Sequence, residues 1–433
     1  MSQPMSYDEA FERLLSYAVC DTGVENVELV DGLGRVLARD VVAGTDVPPA
    51  DNSQMDGYAV RCADLAEATE AAPVVLPVAQ RIAAGSVGTP LAAGTVARIF
   101  TGAPIPAGAD AVVMQEAVTP QDGERVAFAH APLPGEWIRR AGEDVRNGTI
   151  VLPAGMRLAP QSIGLAAAVG VATLTVRRRV RVGCFFTGDE LVRPGQPLPP
   201  GGIYDANRPM LVAALRRAGC QVTDLGNVPD TLEATREALA AAAAGNDLII
   251  SSGGVSVGEE DHLRPAVQAE GELAMWKVAI KPGKPLAYGR VHRRDTASST
   301  LLAAAALGGV PLTVPRGEAG EAHFIGLPGN PVSAFVTFLL FVRPFVLRML
   351  GVQQAMPRWV TAQAAFDWPK PDDRREFLRV RTRDDGMLEL FPHQGSGVLT
   401  STVWGDGLVD NPAGNAIREG DTVRFLPFAS LGG

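Results

Sequence analysis

Between Val180 and Leu350, short apolar runs alternate with helix-length segments, and this alternation constrains the fold more than any other feature of the chain. VRVGCFF, QVTDLG and DLIISS read as strands; MLVAALRRAG and LEATREALAAAAAG read as helices that end at Gly219 and Gly245. Strands joined by helical crossovers pair in parallel, which predicts a buried, mostly parallel sheet covered by helices. A helix from about Val332 to Leu350 closes the unit. In such sheets ligands sit beyond the carboxyl ends of the strands. The residues that follow each strand are therefore the first candidates for a site.

Thr187-Gly188-Asp189-Glu190 follow the first strand, and Ile203-Tyr204-Asp205-Ala206-Asn207 lead into the next helix. A further strand ends at Ser252 and runs into Gly253-Gly254-Val255-Ser256-Val257-Gly258-Glu259-Glu260-Asp261. Glycines let backbone N–H groups approach a ligand, and the Ser256 hydroxyl can donate to a phosphate oxygen. A plain structural turn is the alternative for the Gly-Gly pair alone. Glu190 and Asp261 follow different strands at one sheet edge and can share a hard divalent cation, which takes oxygen ligands. For either one alone, a solvated loop edge is the alternative. Lys281-Pro282-Gly283-Lys284-Pro285 puts two ammonium groups three residues apart on a proline-stiffened loop. Their repulsion predicts an anion between them, against the alternative of an ordinary basic turn. Pro328-Gly329-Asn330-Pro331 opens the last helix, where N–H groups and the helix dipole favour an anion.

The flanks read differently. Ser6 with Glu9 three residues on starts an amphipathic helix over 6–19. From Pro48 to about Trp137, short apolar stretches separated by Gly, Pro and Asp have the texture of a small β-module. Beyond 351, FLRVRTR, MLELFP and DTVRFLPF read as strands of a small barrel or sandwich. The resulting division is 1–45 with 140–178 as an N-terminal linking domain, 46–139 as a small β-rich domain, 179–350 as the α/β domain and 351–433 as a C-terminal β-domain. The fold class is multidomain α/β. Polar turns at Asn52–Ala59 (with Asp56), Thr101–Asp110 and Gly142-Glu143-Asp144 would each pass as β-turns.

A formal net charge of -9 disfavours nucleic-acid binding, because phosphate backbones are attracted by basic faces. Four scattered cysteines, Cys20, Cys62, Cys184 and Cys220, suit neither a disulfide framework nor a zinc knuckle and fit a cytoplasmic protein. The N-terminus lacks the apolar run of a signal peptide. The apolar stretch Val332–Val342 is too short to span a bilayer, is followed by Arg343 and reads as a buried helix, so no membrane association is expected.

The motifs NSQMDGYAV, IFTGAPIPAGADAVVMQE, AGEDVRNG, TGDEL, IYDAN, SSGGVSVGEED, KPGKP, LPGNPVSA, EFLRV and HQGSG resemble, in order and over roughly 7–430, the molybdopterin molybdenumtransferase family. These are the molybdenum-insertion enzymes of molybdenum cofactor synthesis, a group that includes the C-terminal domain of gephyrin. The resemblance implies an elongated homodimer of four-domain subunits. Its site would lie between the pterin-binding α/β unit of one subunit and the C-terminal β-domain of the other. It implies adenylylated molybdopterin and molybdate as substrates, molybdenum cofactor and AMP as products, Mg2+ as the metal, and contact with the adenylyltransferase of the same pathway.

Carried over by position, Asp56, Thr101, Asp144, Glu190, Asp230 and Asp261 match functional polar residues, with Glu190 and Asp261 as metal ligands. Lys281, Lys284, Arg379 and Ser396 match molybdate-side residues, and Pro328 and Pro331 shape a loop. Thr187, Gly188, Ser252, Gly253, Gly254 and Ser256 are candidates for holding the pterin phosphates. Gln54 stands where the family usually has Ala, Ala206 where it has Ser, and Val291–Ala322 is longer than usual. The competing readings are the adenylyltransferase, which shares the α/β unit but normally stands alone, and a non-catalytic gephyrin-like scaffold.

Overall fold

The computed structural model describes residues 4–255, 262–293 and 320–431. Its central sheet has six strands, in the order Gln221–Val228, Arg181–Thr187, Leu248–Ser252, Glu321–Leu327, Pro285–His292 and Gly271–Lys277. The first four pair in parallel; the last two are antiparallel. Side chains alternate along each strand. Val182, Cys184, Phe186, Ile250 and Ile325 enter one core; Phe185, Ile249 and Phe324 enter the other. Helices Asn207–Arg217 and Pro331–Met349 cover the first face, and Leu232–Ala243 and Leu263–Glu270 the second. Burial of each large side chain contributes roughly 1.5–3 kcal/mol over exposure. That packing on both faces fixes the strand register, and with it the loops at the carboxyl edge.

The helix Pro331–Met349 carries a π-helical turn at Phe338–Val342. Its 19 residues are long and apolar enough to cross a membrane by length and composition, so the shorter span read from sequence is corrected. The helix continues because Arg343 does not end it. The guanidinium is buried and donates from Nε to the Leu431 carbonyl at 3.2 Å. Most of the helix is buried inside the protein, as a core helix would be.

A second six-stranded sheet orders as Ala111–Met114, Gly57–Val60, Val96–Ile99, Val74–Ile82, Arg125–Phe128 and Val118–Gln121. Val24–Glu28 pairs with Thr173–Arg177, and Val41–Val42 with Ile150–Leu152, so the chain enters and leaves this β-module through paired strands. The third sheet orders as Ile280–Lys281, Arg375–Thr382, Gly407–Asn411, Thr422–Pro427 and Val360–Gln363, with Leu388–Leu390 beside Arg375–Thr382. Its first strand belongs to the lysine loop of the α/β unit: Ile280 pairs with Arg375 and Lys281 with Glu376, in parallel. Arg375 fastens the N-terminal helix Tyr7–Tyr17 to the same sheet. Its guanidinium reaches Asp410 at 2.6 Å and Asp8 at 2.8 Å and lies 4.6 Å over the Tyr7 ring. Ser6 caps that helix by accepting from the Glu9 N–H at 3.2 Å.

Candidate active site

A cleft of about 670 Å³ opens at the carboxyl edge of the parallel strands. Thr187 ends one strand and Gly188 and Glu190 follow it, Asp230 follows another, Ser252 ends a third with Gly253 and Gly254 after it, and Pro328 to Pro331 follow the fourth. All line the cleft. Gly253 has φ +99, and a Cβ there would lie 2.2 Å from the Thr187 carbonyl oxygen, so only glycine lets the two loops touch. Gly188 plays the same part for Glu190, whose Oε2 would lie 2.7 Å from an added Cβ.

Asn207, which the sequence places only at a helix start, laces these loops together. Its amide donates to Ser252 Oγ at 2.9 Å and to the Gly329 carbonyl at 2.6 Å, and Ser252 donates to the Pro328 carbonyl at 2.8 Å. Ala206 cannot cap that helix; Asp205 does so instead, accepting from the Arg208 N–H at 3.0 Å. Thr187 is 4% exposed, and among the described residues its hydroxyl has no partner. A buried hydroxyl left unpaired at a cleft wall is a donor waiting for a ligand.

The opposite wall comes from the third sheet and the lysine loop. Lys281, Lys284, Arg374, Gln394, Gly395 and Ser396 line it. Here three sequence expectations change. Lys281 is already neutralised: its Nζ lies 3.1 Å from Asp372 and 3.2 Å from Glu376. Burial pulls its pKa down, but the hydrogen bonds to those two carboxylates outweigh it and hold the ammonium charged. The lysine loop therefore does not require an anion to exist. Lys284 is exposed, with no ion pair among the described residues.

Arg379 does not face the cleft. It is 1% exposed beneath the Gln394–Ser396 loop, giving Nε to Ser401 Oγ at 3.1 Å and Nη2 to the Gly395 carbonyl at 3.1 Å. Its backbone exchanges two hydrogen bonds with the Gln394 side chain. Burial lowers its pKa to about 10. The arginine that reaches the cleft is Arg374, which the sequence reading missed although it stands five residues earlier, next to Arg375. The start of the last helix is also partly used, because the Val332 N–H donates to the Ser396 carbonyl at 3.0 Å.

A cleft at the carboxyl edge of this sheet, walled by a C-terminal β-unit, agrees with comparisons along the whole chain. Residues 5–170 match the MoeA N-terminal region (domain I and II), 183–348 a probable molybdopterin binding domain, and 361–428 the MoeA C-terminal region (domain IV). The molybdopterin molybdenumtransferase of Haemophilus influenzae is 36% identical over 99% of both chains. This chain belongs to the molybdopterin molybdenumtransferase family. Molybdopterin molybdenumtransferase 2 of Mycobacterium tuberculosis is 38% identical over 89% of this chain and 90% of its own. A crystal structure of the molybdopterin biosynthesis moeA protein from Pyrococcus horikoshii superposes with a TM-score of 0.80 at 28% identity, covering 98% of this chain and 100% of that one.

Not every family-matched residue reaches the cleft. Asp56 and Thr101 form a pair on the β-module: the Asp56 carboxylate accepts the Thr101 N–H and hydroxyl, both at 2.8 Å. Those bonds hold the Asp56 pKa below its ordinary value. Asp144 is exposed on the linking segment, its N–H bonded to the Val47 carbonyl at 3.0 Å. None of the three lines this chain's cleft. Conversely, Ser396 and Lys281, which the family resemblance separates between two subunits, meet in one chain, because the Ile280–Lys281 strand joins the C-terminal sheet.

Ser256 and Asp261 lie outside the described residues, as does most of the 291–322 insertion. Among the described residues no group of three or more His, Cys, Asp or Glu is placed to hold a metal ion. Glu190 nonetheless offers an oxygen donor at the cleft, the donor type a hard divalent cation takes.

Proposed function

We propose that this protein inserts molybdate into adenylylated molybdopterin, releasing AMP and forming molybdenum cofactor. The observation that carries this reading is the pairing, across one cleft, of a glycine-built turn and unpaired hydroxyl with a wall of cations. The Gly253 turn, Thr187, Gly188 and Ser252 hold the phosphate-bearing pterin, whose oxygens suit N–H and O–H donors. Lys284, Lys281, Arg374 and Ser396 hold the oxyanion. Asp230, which follows the strand Gln221–Val228 and lines the same cleft, belongs to this site. Pro328 and Pro331 keep the loop before the last helix rigid, and Arg379 supports the Ser396 loop from below. Mg2+, held by Glu190 and Asp261, would supply positive charge at the phosphoanhydride oxygens. The chain's own cations act on the same developing charge as AMP departs, and no histidine base is required.

The protein works as a cytoplasmic homodimer in this reading, with the pathway's adenylyltransferase as its delivery partner. The exposed Asp56–Thr101 pair and Asp144 then act at the cleft of a second copy. The alternative of a lone adenylyltransferase is disfavoured by matches that extend through both β-rich flanks. A scaffold without catalysis is disfavoured by the retained Lys281, Lys284 and Glu190.

The deciding experiment incubates the protein with adenylylated molybdopterin, Mg2+ and molybdate, measuring AMP and cofactor; a parallel arm supplies molybdopterin and ATP. AMP release that depends on molybdate and Mg2+, and that Glu190→Ala abolishes, is the expected result. Turnover only in the ATP arm establishes the adenylyltransferase, and no turnover in either establishes a scaffold.

A further inference from the structure

Two cations on the C-terminal wall, Lys281 and Arg374, are bridged by one carboxylate. Asp372 Oδ2 lies 3.1 Å from Lys281 Nζ. Its two oxygens also take Arg374 Nε at 2.9 Å and Nη2 at 3.0 Å. Lys281 and Arg374 both line the cleft. Backbone bonds build the bridge in: Asp372 Oδ1 accepts the Arg374 N–H at 3.1 Å, and the Asp372 carbonyl accepts the Gly414 N–H at 2.8 Å. Hydrogen bonding to Arg374, with Lys281 adding to it, holds the Asp372 carboxyl far below the usual carboxylate range. On the other side of Lys281, Glu376 is 1% exposed and fixed by Trp368 Nε1 at 2.7 Å and Asn411 Nδ2 at 3.3 Å. Lys281 and Arg374 therefore already hold an anion, and that anion is part of the chain.

We propose that Asp372 is a positioning and specificity-determining residue of the oxyanion subsite. It engages the cations that would hold the oxyanion, and an incoming tetrahedral dianion competes with it for Lys281 and Arg374. The inference rests on reading this wall as the oxyanion side. The bridge keeps two like charges ordered close together. It also sets a threshold for entry. Attraction to the cations grows with the charge of the ligand, so a dianion competes where a monoanion of the same shape does not. Repulsion from Asp372 scales the same way. Removing its charge must then raise affinity for both ligands, and more for the dianion. A carboxylate that merely braced the loop would give the opposite sign, because loosening the cations weakens both ligands.

The test is calorimetric titration of the whole protein with tungstate and perrhenate, tetrahedral oxyanions of similar size carrying two charges and one. Asp372→Asn should bind tungstate roughly 10-fold more tightly than the parent and gain less for perrhenate. In the Lys281→Met/Asp372→Asn double variant, most of the tungstate gain should vanish. In turnover, the KM for molybdate should fall while kcat also falls, because freed cations no longer hold one position; Asp372→Glu should restore kcat. Should Asp372→Asn fail to fold, Asp372→Ser carries the same test. Tungstate affinity that is unchanged or weaker in the variant, with the parent binding normally, overturns the role of Asp372 and leaves the oxyanion wall standing. If neither parent nor variant binds tungstate, the oxyanion wall itself is refuted and this role goes with it.

Discussion

On its α/β side the cleft carries the carboxylates Glu190 and Asp230, but its shape is set by backbone and hydroxyls: the Gly253 turn against the Thr187 carbonyl, the unpaired Thr187 Oγ1, and loops laced by Asn207. On its C-terminal side it is lined by charge already in use: Lys281 between Asp372 and Glu376, and Arg374 on Asp372. The first wall depends on shape that no neighbouring side chain can replace. The second depends on an electrostatic balance that a ligand must re-divide. Substitutions on the two walls should therefore fail differently, by misplacement on one and by unbalanced charge on the other.

Gly253→Ala should have the largest effect. The added Cβ falls 2.2 Å from a backbone oxygen, at φ +99, so the turn itself has to move. A displacement near 1 Å of groups that position a substrate lowers turnover about 100-fold. Gly283 in the lysine loop makes the comparison sharper. It also has a positive φ, +116, but its added Cβ meets a side-chain hydroxyl, Thr337 Oγ1, at 2.7 Å. Gly283→Ala should lose less than Gly253→Ala in a kcat/KM assay. Equal losses would mean that backbone shape does not distinguish the α/β wall.

On the charged wall the two lysines should separate. Lys281→Met leaves Glu376 buried without its cation. Lys281 is partly exposed and Glu376 keeps its Trp368 and Asn411 donors, so losing this partner should cost roughly 1–3 kcal/mol of stability rather than the full penalty of a buried pair. Lys284→Met removes an exposed cation and should leave stability within about 0.5 kcal/mol. It should still weaken molybdate about 10- to 100-fold, the worth of one charge-assisted hydrogen bond. Urea denaturation followed by oxyanion titration separates the two outcomes. If Lys284→Met destabilises as much as Lys281→Met, the lysines share one structural role and the comparison between the walls fails.

The α/β wall was largely legible in the sequence. Strand–helix alternation places TGDEL and SSGG at one edge, because each strand must end where its crossover begins; LPGNP is legible only as a helix start, since the sequence reading misses the strand Glu321–Leu327 before it. The charged wall was not. KPGKP shows two cations, but nothing local shows that Lys281 lies opposite Glu376, 95 residues away, in a parallel pair. For the same reason the sequence selects Arg379 over Arg374. Along the Arg375–Thr382 strand side chains alternate, and only the tertiary fold shows that Arg379 points beneath the Gln394–Ser396 loop. The antiparallel strands Gly271–Lys277 and Pro285–His292 escaped notice too, since strand pairing is a long-range property that their sequences do not declare.

The smallest expected effect carries the most specific sign. Thr187 is buried at the end of the Arg181–Thr187 strand, and its hydroxyl has no partner among the described residues. A buried hydroxyl without a hydrogen bond costs roughly 1–3 kcal/mol of desolvation. Valine has the same branched shape without that group. Thr187→Val should therefore leave the empty protein as stable as the parent or more so, by about 1 kcal/mol. The same change removes a donor from the wall assigned to the pterin phosphates, so substrate affinity should fall several-fold, near the worth of one neutral hydrogen bond of about 1 kcal/mol. Stability and affinity would then move in opposite directions, which a general weakening of the loop cannot produce. Thermal midpoints of the empty protein and equilibrium binding of adenylylated molybdopterin measure the two quantities independently. A fall in both would show that the Thr187 hydroxyl serves the fold, and the α/β wall would then hold its ligand through backbone groups alone.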